Sequence, residues 1–289
     1  MPKLGVITDG ISREFEHALS VMNETGLKYA ELQYLWDKEV GDLNDKEMEK
    51  AQSLIKAHEM TVSCISRHNF AGMLVGDTEV GDTNYNRHMD GLQRCIDMAL
   101  ELDTNVVRIM SFRREMILFG SSGADHWVTS TGAWDKLLKL LELPVKLAEE
   151  KNINLVLETG NNAMVPSAWL GQKLINDIGS DRLRILWDPA NSLYANEPTY
   201  PDGWEALKDD YIGHFHIKDA KVNMAHAHVE FCEMGKGDMA PYLEPLANDM
   251  KLNNYNGFIS LESVYRPDGG SFEDGYRASL PKFKELFDW

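Results

Sequence analysis

The sequence predicts an α/β fold, a (β/α)₈ barrel formed by a single domain over residues 1–289. Three observations predict it. Eight short apolar runs alternate along the chain with segments of helical spacing, the order expected of strand–helix units. Most of those runs are near-continuously apolar, as in parallel strands covered on both faces. No linker, break in composition or internal repeat interrupts the alternation, and eight such units in a chain of this length fit a closed barrel. The rival is an open doubly wound sheet. Against it, Thr8-Asp9-Gly10-Ile11-Ser12 is not the Gly-x-Gly-x-x-Gly that follows the first strand of a dinucleotide-binding sheet.

The elements follow in order. Leu4–Thr8 is the first strand. Ile11–Gly26 carries Phe15, Leu19 and Met22 at helical spacing, with Ser12 suited to start the helix and Gly26 to stop it. Tyr29–Tyr34 is the second strand and carries Glu31. Asn44–His58 is a charged amphipathic helix with Met48, Ala51, Leu54 and Ile55 inward. Thr61–Ser66 is the third strand and leads into His68. Asp82–Leu102 is a helix and Asn105–Met110 the fourth strand. A Gly/Ser-rich patch, Gly120–Gly123, then lies in a long loop able to fold over a pocket. Ala133–Lys151 is helical, with Pro144 expected to kink or split it. Ile153–Glu158 is the fifth strand, Ser167–Ile178 a helix with Ser167 as cap, and Leu183–Asp188 the sixth strand. A short helix at Trp204–Leu207 precedes the seventh strand, Tyr211–Ile217. Residues Lys218–Gly237 read as irregular. Asp238–Leu252 is a helix that tolerates Pro241 near its start, Phe258–Glu262 the eighth strand and Phe272–Phe287 the last helix.

Composition narrows the function classes. With 43% hydrophobic and 26% charged residues the chain is globular. A net charge of −17 repels nucleic acid and anionic membranes, while leaving a small anionic substrate open. No window approaches the roughly 18 apolar residues of a membrane span. The N-terminus runs straight into a strand, without the apolar stretch of a signal peptide. Cys64, Cys95 and Cys232 are few, odd in number and scattered, which suggests reduced thiols, a cytoplasmic home and no structural zinc. A small-molecule partner is expected; a homo-oligomer is compatible with the sequence.

The chemistry concentrates at strand ends. In a barrel these all face one mouth. Glu158, Asp188, His216 and Glu262 end strands five to eight, and neighbouring ends lie about 5 Å apart. Three carboxylates that close repel one another unless protonated or neutralised, and a divalent cation neutralises them. One such ion is therefore expected. Three carboxylates and an imidazole suit Mn²⁺ first, with Mg²⁺, Co²⁺ and Zn²⁺ within reach. Taken singly, each residue has a plainer role. Asp188 suits a helix cap, Glu158 can cap with Thr159, and a lone strand histidine is more often a hydrogen-bonded core residue. His214 and His216 share a face. The joint pattern points to metal.

Leu157-Glu158-Thr159, Trp187-Asp188-Pro189-Ala190-Asn191, His214-Phe215-His216-Ile217-Lys218-Asp219, Gly235-Lys236-Gly237-Asp238 and Ser260-Leu261-Glu262 resemble the xylose-isomerase-like TIM barrels, which include sugar isomerases and epimerases. The resemblance implies that Glu158, Asp188, His216 and Glu262 bind one metal. It selects His216 over His214, and it implies that Glu158 and Glu262 also move the proton. The expected activity is a metal-dependent isomerase or epimerase of a sugar or sugar-derived hydroxy-ketone. Proton transfer would pass through a metal-stabilised cis-enediolate, with a carboxylate on each side of the substrate.

Softer expectations concern the substrate. His68, Asn191 and Lys218 are candidates for binding it, although Asn191 stands where epimerases of this kind tend to have a histidine, and Lys218 could instead pair with Asp219. Glu31 could line the floor, and Arg108 could meet a carboxylate or phosphate or equally be buried against an acid. Trp36, Trp127 and Trp187 offer sugar-stacking faces but suit core packing better. The loops Phe112–Thr131 and Glu197–Trp204 are where specificity would sit. A metal-dependent dehydratase or lyase on a sugar or cyclitol derivative is the alternative, and a non-catalytic sugar-binding role is a third. An endonuclease-like hydrolase is disfavoured by the missing histidine after Met110, by Asn191, Glu230 and Cys232 at expected ligand positions, and by the acidic net charge.

Overall fold

The computed structural model describes residues 1–114 and 132–289. Eight parallel strands close into a barrel in chain order: β1 (Lys3–Ile7), β2 (Tyr29–Leu32), β3 (Thr61–Ile65), β4 (Val106–Met110), β5 (Asn154–Glu158), β6 (Leu183–Trp187), β7 (Ile212–Ile217) and β8 (Phe258–Leu261). β8 returns to β1, with Phe258 opposite Lys3, so the sheet has no free edge. The helices are α1 (Phe15–Thr25), α2 (Asp45–Ala57), α3 (Thr83–Glu101), α4 (Ala133–Lys151), α5 (Ala168–Ile178), α6 (Pro189–Tyr194), α7 (Trp204–Leu207), α8 (Ala240–Leu252) and α9 (Phe272–Phe287). The expected (β/α)₈ barrel is the observed fold.

Strand alternation explains where the core and the site lie. Outward residues such as Ile109, Leu157, Ile185, Phe215 and Ile259 belong to the large core shared with the helices. Cys64, Val106, Val156 and Leu186 form a separate buried cluster. Two residues further along the same four segments come Ser66, Arg108, Glu158 and Asp188, on the same inward face. The barrel interior therefore changes from apolar to polar within one step of the pleat.

Local signals are mostly where the sequence put them. Gly26 ends α1 with φ of 75°, a conformation that costs glycine little. Asn44 and Glu47 form a capping box on α2, Asp82 caps α3 and Ser167 caps α5. Four details differ. α1 begins at Phe15, because the Ser12 hydroxyl accepts the Glu14 amide in a turn before the helix (3.1 Å). β2 ends at Leu32, and Tyr34–Leu35 pairs instead with Lys38–Glu39 in a small hairpin. Pro144 lies inside a continuous α4. Residues 219–232 are not irregular: Asp219–Asn223 pairs antiparallel with His228–Cys232. Gly120–Gly123, Trp127 and most of the Phe112–Thr131 loop lie outside the described residues. No helix among the described residues is long and apolar enough to cross a membrane.

Candidate metal centre and active site

β5 to β8 are neighbours in the barrel, and their ends bring the predicted residues together. Glu158 is the last residue of β5, while Asp188 and Glu262 directly follow β6 and β8. His216 lies within β7. Its aim depends on a register shift: Ile185 faces Ile212 but Leu186 faces His214, so Gly213 is an extra residue in β7. Only glycine fits there. A Cβ at 213 would lie 2.7 Å from Cβ of Arg184 and 2.7 Å from Cγ1 of Val156. A second shift sets Glu31 opposite Cys64 and makes Ser63 the extra residue of β3.

The centre is an imidazole nitrogen between two acids. Nδ1 of fully buried His216 lies 3.8 Å from Oε1 of Glu158 and 3.6 Å from Oε2 of Glu262. Both distances are too long for a hydrogen bond, and this nitrogen has no hydrogen-bond partner. The three ligand atoms lie within 4.8 Å of one another, the dimension of a site for one cation. Burial opposes charge on His216, but Glu31, Glu158 and Glu262 outweigh it and raise its pKa well above the usual value, so a divalent ion between the two carboxylates would take the place of the Nδ1 proton.

Cations hold these carboxylates: for Glu158 through the oxygen that does not face His216, for Glu262 through the same Oε2 that does. Arg108 Nη1 donates to Oε2 of Glu158 at 2.9 Å, and its Nη2 donates to the Ser66 carbonyl (2.6 Å) and to Gln33 (3.0 Å). The Lys218 ammonium donates to Asp188 and, at 2.6 Å, to Oε2 of Glu262. Asp188 also accepts the Ala190 amide at 3.0 Å, so it caps α6 as well as facing the site. Burial pushes Glu158 up, but the Arg108 guanidinium and His216 beside it hold it below the usual carboxylate range. Burial likewise opposes ionisation of Glu262, and Lys218 and His216 outweigh it. Asp188 is the exception: burial carries its carboxyl up to about 7 against the pull of Lys218.

Below these residues Glu31 bridges two histidines. Its Oε1 lies 2.8 Å from Nε2 of His216 and its Oε2 lies 2.8 Å from Nε2 of His214. Beside Glu262 a cavity of about 590 Å³ opens among the segments after β1, β2 and β8, lined by Asp9, Arg13, Gln33, Tyr34, Glu262 and Arg266 among others. Asp9 and Gln33 were not among the sequence candidates. For Gln33 the signal was present, two residues beyond inward Glu31; Asp9 lies in a 3-10 turn, Thr8–Gly10, where the alternation of a strand no longer places side chains.

The other expectations separate. Lys218 sits in the centre, and Asp219 is not its partner. Asp219 accepts the backbone amides of Gly235, Gly237 and Met239 instead. Glu31 and Arg108 are buried in the site. His68 lies to one side, with Nδ1 2.8 Å from Oε1 of Glu39 and its ring 6.2 Å from that of Tyr34. Asn191 is buried and donates to the Thr159 carbonyl at 2.6 Å, tying the loop after β5 to α6. Trp187 stacks with Trp204 in the core, and Trp36 packs edge-on against Phe15. Glu197 accepts the amides of Ala168 and Trp169 at the start of α5.

A family model described as "Xylose isomerase-like TIM barrel" matches residues 19–286. Among solved structures, the chain is similar to 3-keto-D-glucoside 4-epimerase YcjR from E. coli in its apo form. That likeness has a TM-score of 0.69 and 17% identity, covering 99% of this chain and 100% of that one. It is also similar to the probable 3-DHS dehydratase AsbF from Bacillus anthracis, with a TM-score of 0.70 and 14% identity over 98% of this chain and 99% of that one. A third, the IOLI protein with a binding zinc atom, gives a TM-score of 0.70 and 14% identity over 98% and 97% of the two chains. At such identities the likeness is one of fold. No curated protein sequence matches the chain.

Proposed function

The chain belongs to the xylose isomerase-like TIM barrel family, and on that premise we propose that it is a metal-dependent isomerase or epimerase of a sugar or sugar-derived hydroxy-ketone. The observation that carries this reading is the unpartnered Nδ1 of His216 between the carboxylates of Glu158 and Glu262. Those three residues would hold a divalent cation, Mn²⁺ first by donor set. Asp188 lies outside that three-residue cluster and reaches it through the Lys218 ammonium it shares with Glu262, a contact it would exchange to serve as the fourth donor. Such an ion would polarise adjacent oxygens of a hydroxy-ketone and acidify the C–H between them.

The chain's own residues then handle the proton. Glu158 and Glu262 are held ionised by Arg108 and Lys218, so each is a base at neutral pH. One carboxylate takes the proton from one side of the substrate carbon and the other returns one from the opposite side, which is epimerisation. Return by the same carboxylate to the neighbouring carbon is aldose–ketose isomerisation. The cavity beside Glu262 is large enough for a monosaccharide, and Asp9, Gln33 and Tyr34 offer partners for its hydroxyls. The acidic net charge and three buried free thiols agree with a cytoplasmic enzyme of small molecules.

Lys218 supports a second reading. An ammonium 2.6 Å from Glu262 can protonate a departing β-hydroxyl, which would make the protein a dehydratase or lyase. One experiment separates the two. The Mn²⁺-loaded protein is incubated with a panel of ketoses and keto-sugars in D₂O. Deuterium at the substrate carbon without loss of water supports the isomerase or epimerase; a new ultraviolet-absorbing enone supports the lyase. Neither outcome, across neutral and acidic sugars, would refute catalysis at this site.

A further inference from the structure

We propose that Glu31 is a positioning residue that fixes which nitrogen of His216 is offered to the cation. The inference rests on the reading of His216 as a ligand and extends it inward. Glu31 lies on β2, across the barrel from β7, and is fully buried. Its two oxygens are divided between two imidazoles, Oε1 to Nε2 of His216 and Oε2 to Nε2 of His214, each at 2.8 Å. The Ser66 hydroxyl also donates to Oε1. An ionised carboxylate only accepts. Both Nε2 atoms must therefore carry hydrogen, so Nδ1 is the nitrogen of His216 that can give up its proton to a cation.

That consequence matches the outer geometry. Nδ1 of His216 is the atom that faces Glu158 and Glu262 and lacks a hydrogen-bond partner. A histidine that binds metal commonly donates its other N–H to a carboxylate, which sets tautomer and ring orientation. His214 supplies the second half of the device. It occupies the far oxygen and, at 3.1 Å, also meets Ser260, so the Glu31 carboxylate is held from both sides. The same three residues are not read as a second metal site, because hydrogen bonds at ordinary distances already account for both Nε2 atoms.

Glu31→Gln tests the proposal because the amide keeps the shape but has one acceptor and one donor. One of the two imidazoles must then carry its hydrogen on Nδ1. The full chain, labelled with ¹⁵N-histidine, is loaded with Zn²⁺ for NMR, and Mn²⁺ affinity is measured by calorimetry. In the parent, His216 should bind through Nδ1 and show an Nε2–H proton. In Glu31→Gln, the imidazole that faces the amide NH₂ should switch tautomer with far-ultraviolet circular dichroism unchanged, and where that imidazole is His216, Mn²⁺ affinity should fall about 10–100-fold. Binding through Nε2 in the parent would overturn the proposal, even if the variant failed to fold. So would a folded variant in which neither imidazole switched, or in which His216 switched and Mn²⁺ was held as tightly as in the parent, results that leave the metal centre standing. A parent that bound neither ion would overturn the metal reading and this role together.

Discussion

Arg108 Nη1 lies 2.9 Å from Oε2 of Glu158, and both side chains are almost fully buried. The guanidinium is the fixed counter-charge of a carboxylate that also faces His216. Its second amino group is spent on Ser66 and Gln33, so no rotation can release Glu158 without breaking three contacts. Replacing Arg108 with Met leaves a buried carboxylate without its partner, a change that typically costs about 3–5 kcal/mol. Urea denaturation should show a loss of that order. Because an added divalent cation supplies positive charge to the same carboxylate, Mn²⁺ should recover part of it. A variant as stable as the parent would contradict the pairing.

Lys218 plays the corresponding part for Asp188 and Glu262. Burial of its ammonium is outweighed by these carboxylates, which raise its pKa and keep it charged. In Lys218→Met the acids lose that neutralising charge. The metal-free variant should therefore melt at a lower temperature than the parent, and the rise in Tm on adding Mn²⁺ should be larger than in the parent. An equal rise in the two proteins would mean that Lys218 and the ion do not share the same carboxylates.

Glu262 is the acid most exposed to the cavity among the three around His216, with 18% of its side chain accessible. Glu262→Gln removes a ligand charge and a base while keeping size. Turnover, read as deuterium exchange into a ketose, should fall by a factor of about 100 or more, and Mn²⁺ should bind more weakly. EDTA should abolish exchange in the parent, and Mn²⁺ or Co²⁺ should restore it. Exchange at the parent rate in a variant verified by mass would remove Glu262 from the mechanism.

What could be read from the chain divides along a physical line. The meeting of Glu158, His216 and Glu262 was legible because a strand has period two and a barrel puts its strand ends at one mouth, whereas Asp188 joins them only through Lys218. The partners of Lys218 and Arg108 were not, since each choice depends on the position of a strand tens of residues away. Asp219 shows the same limit. It sits beside Lys218 in sequence, yet its carboxylate collects amides from residues 235 to 239. The hairpin after β7 was missed because Asp219–Asn223 is short and rich in polar residues, and pairing with His228–Cys232 rather than propensity makes it a strand. Asn191 was weighed as a substrate contact, and its amide is spent on the Thr159 carbonyl.

Glu39 gives a pH dependence away from the centre. Burial alone would raise its pKa; hydrogen bonds from the His68 side chain and backbone, with Arg67 nearby, lower it to about 2 from the ordinary 4.5. A depressed carboxyl stabilises the fold fully above its unfolded pKa, and that contribution is lost as pH falls from 4.5 through about 2. After solvent screening it is worth about 1 kcal/mol. The stability difference between the parent and Glu39→Gln should be present at pH 6 and shrink by pH 2.5, as measured by urea denaturation at each pH. A difference that did not change with pH would show that the bond to His68 does not depend on the charge.

Gly213 is the backbone counterpart of these side-chain arguments. As the extra residue in β7 it directly precedes His214, and the strand can pass only because no Cβ is present: Arg184 Cβ and Val156 Cγ1 would each lie 2.7 Å from one. Neither neighbour can yield freely, since Arg184 is on β6 and Val156 is packed in the cluster beneath Glu158. Gly213→Ala should therefore cost about 1–3 kcal/mol through overpacking, although alanine would lower the entropy of the unfolded chain. The displaced strand carries His214 and His216 with it, so Mn²⁺ affinity should fall together with stability. Gly257→Ala, a change just before β8, serves as the comparison: a Cβ there meets mainly the Tyr255 ring, which belongs to a side chain outside the centre. If Gly213→Ala lost stability but bound Mn²⁺ as the parent does, the bulge would be a packing feature and not the device that aims β7 into the barrel.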